Sequence, residues 1–525
     1  MRRRAWRLLR TFPDALASLG LVRRETARES FELAVPAMLS AGIWVILRIT
    51  DFLMVSVALS DAAVAALEFS FQYYIVGFNV AIAVSSGTIS LVSRHKGAGD
   101  NKAANFVIKQ SLWFAIPISA VLTAAGWFYA EPLLDVLTDE PAVIDLGSTY
   151  LSIVMLGLFF RFWTLIASRG LQGCGDTVTP MYVTGSVTLL NIGLNALLIF
   201  GLGPVPALGI AGAALGTVIA NAIGAAIYVP MFLSDRFPIR FRLGGKQWDS
   251  DVAREILRVG TPLAGRRLIV TVGRFPFLYM LGLLGTSVVA AFAIGRQVVQ
   301  LARIPGWGYS TAASALVGQH LGGGREGAAT HYGWQTVRLA LATQVLIAAG
   351  LAVFARPIAV LFGTEAVGQA TWFIWVLALS VAGGSVAQTL EGGLRAAGDT
   401  TWPLYGSAVG TGLRIAITAL ALPVGLTVAD VGGVALAPGL GLGLAAVFLA
   451  VLVGTWRGER GGQLRVNGDI PAPLSGPENG PRVLDNMRLW FAVAVLLVVI
   501  AYGLPLWSMV ADGLLAPGRP PFVPS

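Results

Sequence analysis

The run from Phe31 to Leu59 constrains this chain more than any other stretch. It is nearly all apolar, and past Glu32 at its start the charged residues are Arg48 and Asp51, which stand three residues apart and so share one face of a helix. Its length exceeds the ~20 residues that an α-helix needs to cross a bilayer. A bare carboxylate at such a depth costs about 2.5 to 3.5 kcal/mol even on the lenient insertion scale. Asp51 therefore needs a partner or a task. Either Arg48 and Asp51 neutralise each other, or Asp51 exchanges a proton or a small cation. The second reading is favoured because intramembrane acids usually mark ion pathways.

The rest of the composition agrees with a membrane setting. Of 525 residues, 55% are hydrophobic and 12% charged, and the mean hydropathy is +0.73, outside the range of soluble globular chains. A single cysteine, Cys174, excludes an intrachain disulfide, and three histidines without Cys or His clustering leave no metal-ligand spacing. The net charge of +9 comes from arginines placed between hydrophobic spans, which read as topology signals and not as a nucleic-acid footprint. The basic opening segment lacks an apolar core before Pro13 and Asp14, so it is expected to be a cytoplasmic amphipathic arm (residues 1–30) and not a signal peptide.

Apolar runs and their breakers place helices near 31–59, 63–92, 105–130, 145–168, 181–201 and 208–233. A second set falls near 256–283, 287–318, 332–355, 370–394, 402–425 and 431–455, with a thirteenth at 488–511. An N-terminus inside gathers most Lys and Arg on cytoplasmic segments and leaves only Arg356 and Arg519 outside. The charged connection 234–255 separates an N-lobe (31–233) from a C-lobe (256–456). A Pro/Gly-rich cytoplasmic loop (457–487), the extra helix and an external tail (512–525) follow.

The two lobes are copies of one another. Shifting the chain by 225 positions aligns Phe52–Ala104 with Phe277–Ala329 without a gap, most clearly where Leu91, Val92, His95, Gly97 and Gly99 meet Leu316, Val317, His320, Gly322 and Gly324. A second matched loop, Gly-Leu-Gln-Gly-Cys-Gly-Asp-Thr at 170–177 before Pro180, corresponds to Gly-Leu-Arg-Ala-Ala-Gly-Asp-Thr at 393–400 before Pro403. Six helices per copy is an even number, so both halves start inside and the pseudo-twofold axis runs along the membrane normal. The expected fold is all-α and integral to the membrane: two pseudo-symmetric six-helix bundles, twelve transmembrane helices, with a thirteenth after them. A cleft with a midplane site lies between bundles of this kind.

The Gly-Asp-Thr-x-x-Pro loop, the Asn191 to Asn195 run leading into Ile199-Phe200-Gly201, the Leu208-Gly209-Ile210-x-Gly212-Ala213-Ala214 stretch and Ser310–Gln319 together resemble the multidrug and toxic compound extrusion (MATE) family over about residues 31 to 456. The resemblance implies cation-coupled antiport, with Na⁺ or H⁺ entering and an amphiphilic organic compound leaving. It implies Asp51, Asn191, Asn195 and Thr217 as the cation-coupling residues. The acidic positions that one bacterial branch carries in helices seven and ten fall near Val270 and Gly384, which argues against a coupling site in the C-lobe.

Asn191 lies about ten residues into its helix and Thr217 about nine, roughly 13 to 15 Å deep at ~1.5 Å per residue. Asn191 and Asn195, at i and i+4, offer oxygens on one face for a hard cation or a water network. The alternative is ordinary interhelical hydrogen bonding. Pro36 breaks the backbone ladder 15 residues before Asp51 and is expected either to kink the helix statically or to serve as a hinge. Glu68 is expected at a solvated outer end, and Glu391 beside Arg395 at i+4.

Against the repeat, Asp51 aligns with Pro276, Phe71 with Arg296, Phe78 with Arg303 and, at the second loop's offset of 223, Asn191 with Arg414. The C-lobe has thus lost the acid and gained arginines, Arg266, Arg267 and Arg274 among them. Arg48, Arg274, Arg296, Arg414 and Glu391 are the candidates to line a substrate cavity, which the arginines would bias toward anionic or zwitterionic amphiphiles. The expected protein is a monomeric inner-membrane antiporter with its N-terminus cytoplasmic, its C-terminus external if the thirteenth helix forms, and no cofactor or metal beyond Na⁺. Its partners are the lipid bilayer and a small amphiphilic substrate, with no nucleic acid. A lipid-linked oligosaccharide flippase of the same superfamily is the alternative, and a membrane-embedded transferase a remote one.

Overall fold

The computed structural model describes residues 2–421 apart from 203–204, 235–236, 241–243, 284–285 and 363–366. The expected helix at 431–455, the Pro/Gly-rich loop and the thirteenth helix lie outside the described residues.

Every regular element described is helical. The N-lobe comprises α2 (Arg24–Ala58), α3 (Asp61–Gly97), α4 (Asn101–Phe128), α5 (Ala130–Asp135), α6 (Pro141–Leu156), α7 (Leu158–Gly173), α8 (Val178–Phe200) and α9 (Gly209–Leu233), after an arm helix α1 (Arg2–Ser18). The C-lobe continues with α10 (Ser250–Val272), α11 (Arg274–Leu283), α12 (Thr286–Ala302), α13 (Ile304–Gly322), α14 (Glu326–Leu361), α15 (Val367–Ala396) and α16 (Thr401–Ala421). Seven of these helices are long and apolar enough to cross a membrane, or eight if the pair α6 and α7, bent by 44°, counts as one span.

Three of the spans read as continuous from the sequence are broken. The fourth bends at Gly157, where an added Cβ would meet Val218 of α9. In the C-lobe the first span breaks at Gly273, pressed against Thr411 of α16, and the second at Arg303. The first membrane helix also starts earlier than the apolar run, at Arg24. The start of this helix carries charges that the arm satisfies: Asp14 accepts from Arg28 at 2.6 and 2.7 Å, and Arg10 pairs with Glu32 at 2.7 Å. Leu16 of the arm joins Phe31 and Ala34 of α2 and Tyr309, Leu339 and Ala340 of the C-lobe in one apolar cluster.

In lipid, apolar surfaces gain little by facing each other, so close backbone approach and hydrogen bonding hold helices together. The two lobes meet in this way. Helix α2 crosses α13 at Gly308, which sits against the carbonyl of Ala34, and α10 crosses α3 at Gly260, against the carbonyl of Ala83. At the loop end the pairing is reciprocal: a Cβ on Gly97 would collide with the Gln319 carbonyl, and one on Gly322 with the Arg94 carbonyl. Ser93 faces Gly318, its own counterpart in the repeat, so the pseudo-twofold axis passes between them.

The second matched loops are also built alike. Gly175 and Gly398 take left-handed φ values of 89° and 80°, which glycine alone adopts without strain. Each aspartate accepts from the start of the following helix. Asp176 accepts from the backbone of Val178 and Thr179 and from the Thr179 hydroxyl, while Asp399 accepts from Thr401 at 2.8 Å. The Gly-Asp-Thr motif is thus a helix-start device.

Candidate functional site

Helix α2 carries Asp51 on the face opposite its exposed Ile46, Ile49, Leu53 and Val57. Helices α8 and α9 meet that face. Their close approach rests on Gly212 and Gly216, one turn apart: a Cβ on Gly212 would strike the Leu198 backbone, and one on Gly216 the Asn195 side chain. Small residues at i and i+4 were visible in the sequence, and this spacing was the signal that sequence reasoning left unused.

The crossing brings all four cation-coupling candidates into one chain of hydrogen bonds. Thr217 donates to the Ala213 carbonyl at 3.0 Å and accepts from Asn191 Nδ2 at 3.3 Å. Asn195 Nδ2 donates to Asn191 Oδ1 at 3.0 Å and to Asp51 Oδ1 at 2.8 Å. Asn195 is fully buried and Asn191 is 2% exposed. Two amide hydrogens of Asn195 are thereby committed, and its Oδ1 is left buried without a partner. A buried carbonyl oxygen without a donor carries a desolvation penalty of about 1 to 3 kcal/mol. The carboxylate of Asp51, this oxygen and the Thr217 hydroxyl are hard oxygen ligands of the kind a small cation takes.

Arg48 does not pair with Asp51. Its guanidinium lies 3.3 Å over the Phe71 ring and 3.5 Å from Glu68 Oε1, with Asp51 still inside its electrostatic reach. The simple neutralisation weighed from the sequence is replaced by an Arg48–Glu68 pair, because the i+3 spacing gives Arg48 a choice of partners and Glu68 on α3 offers the more exposed one. Pro36 lies in α2 beside the α13 crossing, and Ser40 donates to its carbonyl at 2.9 Å.

In the C-lobe the expected Glu391–Arg395 pair is likewise exchanged. Glu391 Oε2 binds Arg266 at 2.7 Å, while Arg395 donates to Ser310 and Ser314 of α13. Tertiary neighbours outcompete the i+4 pair here. Arg414 donates to the Gly273 carbonyl at 2.9 Å, freed by the helix break, and lies 5.2 Å over Phe277. Arg274 and Arg296 are exposed and within electrostatic reach of each other, apart from Glu391. The five cavity candidates therefore do not converge on one place. Sequence reasoning missed Arg169, Arg94 and Gln319. Arg94 binds Glu255 at 3.3 Å, and Gln319 donates to the Gly173 carbonyl at 2.9 Å, both between lobes.

Two duplicated helical bundles, closed against each other at one end and carrying a carboxylate–amide network in one of them, have the architecture of a membrane transporter. The MatE family model matches residues 36–197 and 262–420, one segment in each lobe. A probable multidrug resistance protein NorM of Thermotoga maritima is 30% identical over 392 residues, 72% of this chain and 82% of the relative. A FAD transporter of Shewanella oneidensis is 27% identical, covering 66% and 76% of the two chains. An outward-facing multidrug resistance MATE family transporter of the MOP superfamily superposes with a TM-score of 0.75 at 21% identity, covering 83% of this chain and 97% of that one. The chain belongs to the MATE family of membrane transporters.

Proposed function

We propose that the protein is a secondary antiporter that exports a small amphiphilic compound across the inner membrane as Na⁺ or H⁺ enters through the N-lobe. Asp51 is its coupling group. The observation that carries this reading is the Asp51–Asn195 hydrogen bond at 2.8 Å beside the unpartnered Asn195 Oδ1. Asn191 and Thr217 hold Asn195 in place, so the charge state of one carboxylate is relayed from α2 to α8 and α9. When Asp51 is charged, Asn195 draws α2 toward α8. When a proton or cation neutralises it, that pull weakens and α2 is free to bend at Pro36, where a backbone hydrogen bond is missing.

The relatives' names support multidrug export as the broad activity. The monomeric state, the cytoplasmic N-terminus and the absence of a cofactor belong to the same reading. The test is efflux from proteoliposomes under an imposed Na⁺ gradient and, separately, an imposed pH gradient. The reading requires that at least one gradient drives efflux and that Asp51→Asn removes the drive at normal expression. Gradient-driven transport by that variant at the wild-type rate would overturn it.

A further inference from the structure

Five arginines surround one carboxylate where the lobes meet. Arg266 and Arg267 come from α10, Arg395 and Glu391 from α15, Arg169 from α7, and Arg303 from the break between α12 and α13. Each arginine lies within electrostatic reach of at least two other members. Glu391 is committed to Arg266, which also donates to Ser407 at 2.7 Å. Arg395 is held by the Ser310 and Ser314 hydroxyls, and Arg169 by Gln172 at 3.0 Å and Thr311 at 3.2 Å. Among the described residues the Arg267 guanidinium has one hydrogen bond, to Asn79 of the N-lobe at 2.7 Å. The guanidinium of Arg303 has no hydrogen bond or ion pair among the described residues, with Glu391 only within its electrostatic reach. Gly384 opposite it leaves room, since even an added Cβ there would stand 3.8 Å from Arg303 Nη2. Next to it on α15, the Ser385 hydroxyl and Gln388 Oε1 are buried without partners.

Pinning the lobes together accounts for Arg169 and Arg267, whose bonds cross between them. It does not account for Arg303. A guanidinium kept among helices without a bonded counter-ion is costly, and its fork of donors matches a phosphate or carboxylate. We propose that this cluster binds the acidic group of the transported amphiphile, a phosphate or carboxylate, with Arg303 and Arg267 as its ligands and Ser385 and Gln388 orienting the polar part beside it. The proposal rests on the reading of the protein as a transporter of small amphiphiles and names the charge of its substrate. It moves the anion-binding role expected of Arg274, Arg296 and Arg414 to a different set of arginines. Because Arg169 belongs to the N-lobe and the named ligands to the C-lobe, opening of the closed end separates Arg169 from Thr311 and carries its charge away from the bound anion.

The test is equilibrium binding to the purified full-length protein in detergent, with no gradient present. The probes are FAD, riboflavin, which shares the ring system but lacks phosphates, dihexanoyl phosphatidic acid as a lipid phosphate, and the cation ethidium. At least one of the two phosphate probes should bind, FAD exceeding riboflavin roughly tenfold if the substrate is a soluble phosphate, the lipid being preferred if it is a headgroup. Arg303→Gln and Arg267→Gln should each lower phosphate binding roughly tenfold, Arg303→Lys should restore part of it, and ethidium binding should not fall. Asn79→Ala, which removes an interlobe bond but keeps the charge of Arg267, should leave phosphate binding intact. Failure of both phosphate probes, or phosphate binding unaffected by either glutamine variant, overturns the proposal. The coupling reading is tested by gradient-driven efflux and this one by equilibrium binding without a gradient, so a failure of either is visible separately.

Discussion

The two lobes share a backbone design and differ in chemistry. At the closed end, Gly97 faces Gln319 and Gly322 faces Arg94, the same contact written twice across the axis. The Gly-Asp-Thr loops both turn at a left-handed glycine and set an aspartate that accepts from the first turn of α8 or of α16. Away from that end the copies diverge. The N-lobe keeps one carboxylate in a network of neutral amides and a hydroxyl, whereas the C-lobe has proline at the equivalent position and contributes four of the five arginines around Glu391. Closure requires both lobes to present matching small residues, because two backbones in contact leave no space for a side chain on either. Ion chemistry needs only one site, so a second acid is dispensable and its place is open to other uses.

The largest expected effect falls on the diverged half of this comparison. Asp51→Asn should reduce gradient-driven efflux to that of protein-free vesicles while the protein folds normally, and changing its counterpart, Pro276→Ala, should not. Flux assays on both variants check this, and equal losses would mean that the lobes still share the coupling task.

A smaller effect, and one that should be the same in both lobes, is expected of the shared half. Gly97→Ala or Gly322→Ala places a methyl group into a backbone contact, an overpacking cost of about 1 to 3 kcal/mol that disfavours the closed end. The closed population should fall by about 5- to 150-fold in either variant. Spin-label distances between α3 and α13 would read it, and a shift in only one variant would show that the closure is not symmetric.

Pro36→Ala restores a donor to the α2 ladder and should slow turnover by about two- to fivefold with little change in substrate affinity. A fall in affinity at constant turnover would make the proline a shaping residue. The C-lobe supplies the control, since Pro262 in α10 belongs to the lobe with proline, not an acid, at the position equivalent to Asp51, and its alanine variant should be milder.

The smallest effect concerns the arm, which belongs to neither copy. The hydrogen bond from Arg28, aided by the charges of Arg28, Arg24 and Arg10, holds the Asp14 carboxyl below its ordinary value. A carboxyl depressed in the folded state stabilises above its unfolded pKa of ~3.9 and loses that contribution as pH falls through the folded value. Docking of α1 should therefore be constant at neutral pH and weaken below about pH 4. Hydrogen exchange in α1 should reveal this, and Asp14→Asn should show the same loosening at neutral pH.

The sequence by itself determined the membrane class and the twofold repeat, and put Asn191 and Asn195 on one helix face, while the resemblance to a known family named the polar residues that join Asp51. The first three follow from local quantities: the length of an apolar run, a fixed offset between copies, and the i to i+4 geometry of a helix. Tertiary structure alone decided the partners. Arg48 turned to Glu68 and Glu391 to Arg266, because a charge in a membrane takes whichever counter-charge or oxygen packing brings nearest, and that neighbour comes from another helix. The same holds for the breaks at Gly273 and Arg303 and for the glycines that close the lobes. A glycine reads identically in a sequence whether its missing side chain leaves room for lipid or for the carbonyl of the opposite lobe, and only the crossing of two helices distinguishes the cases.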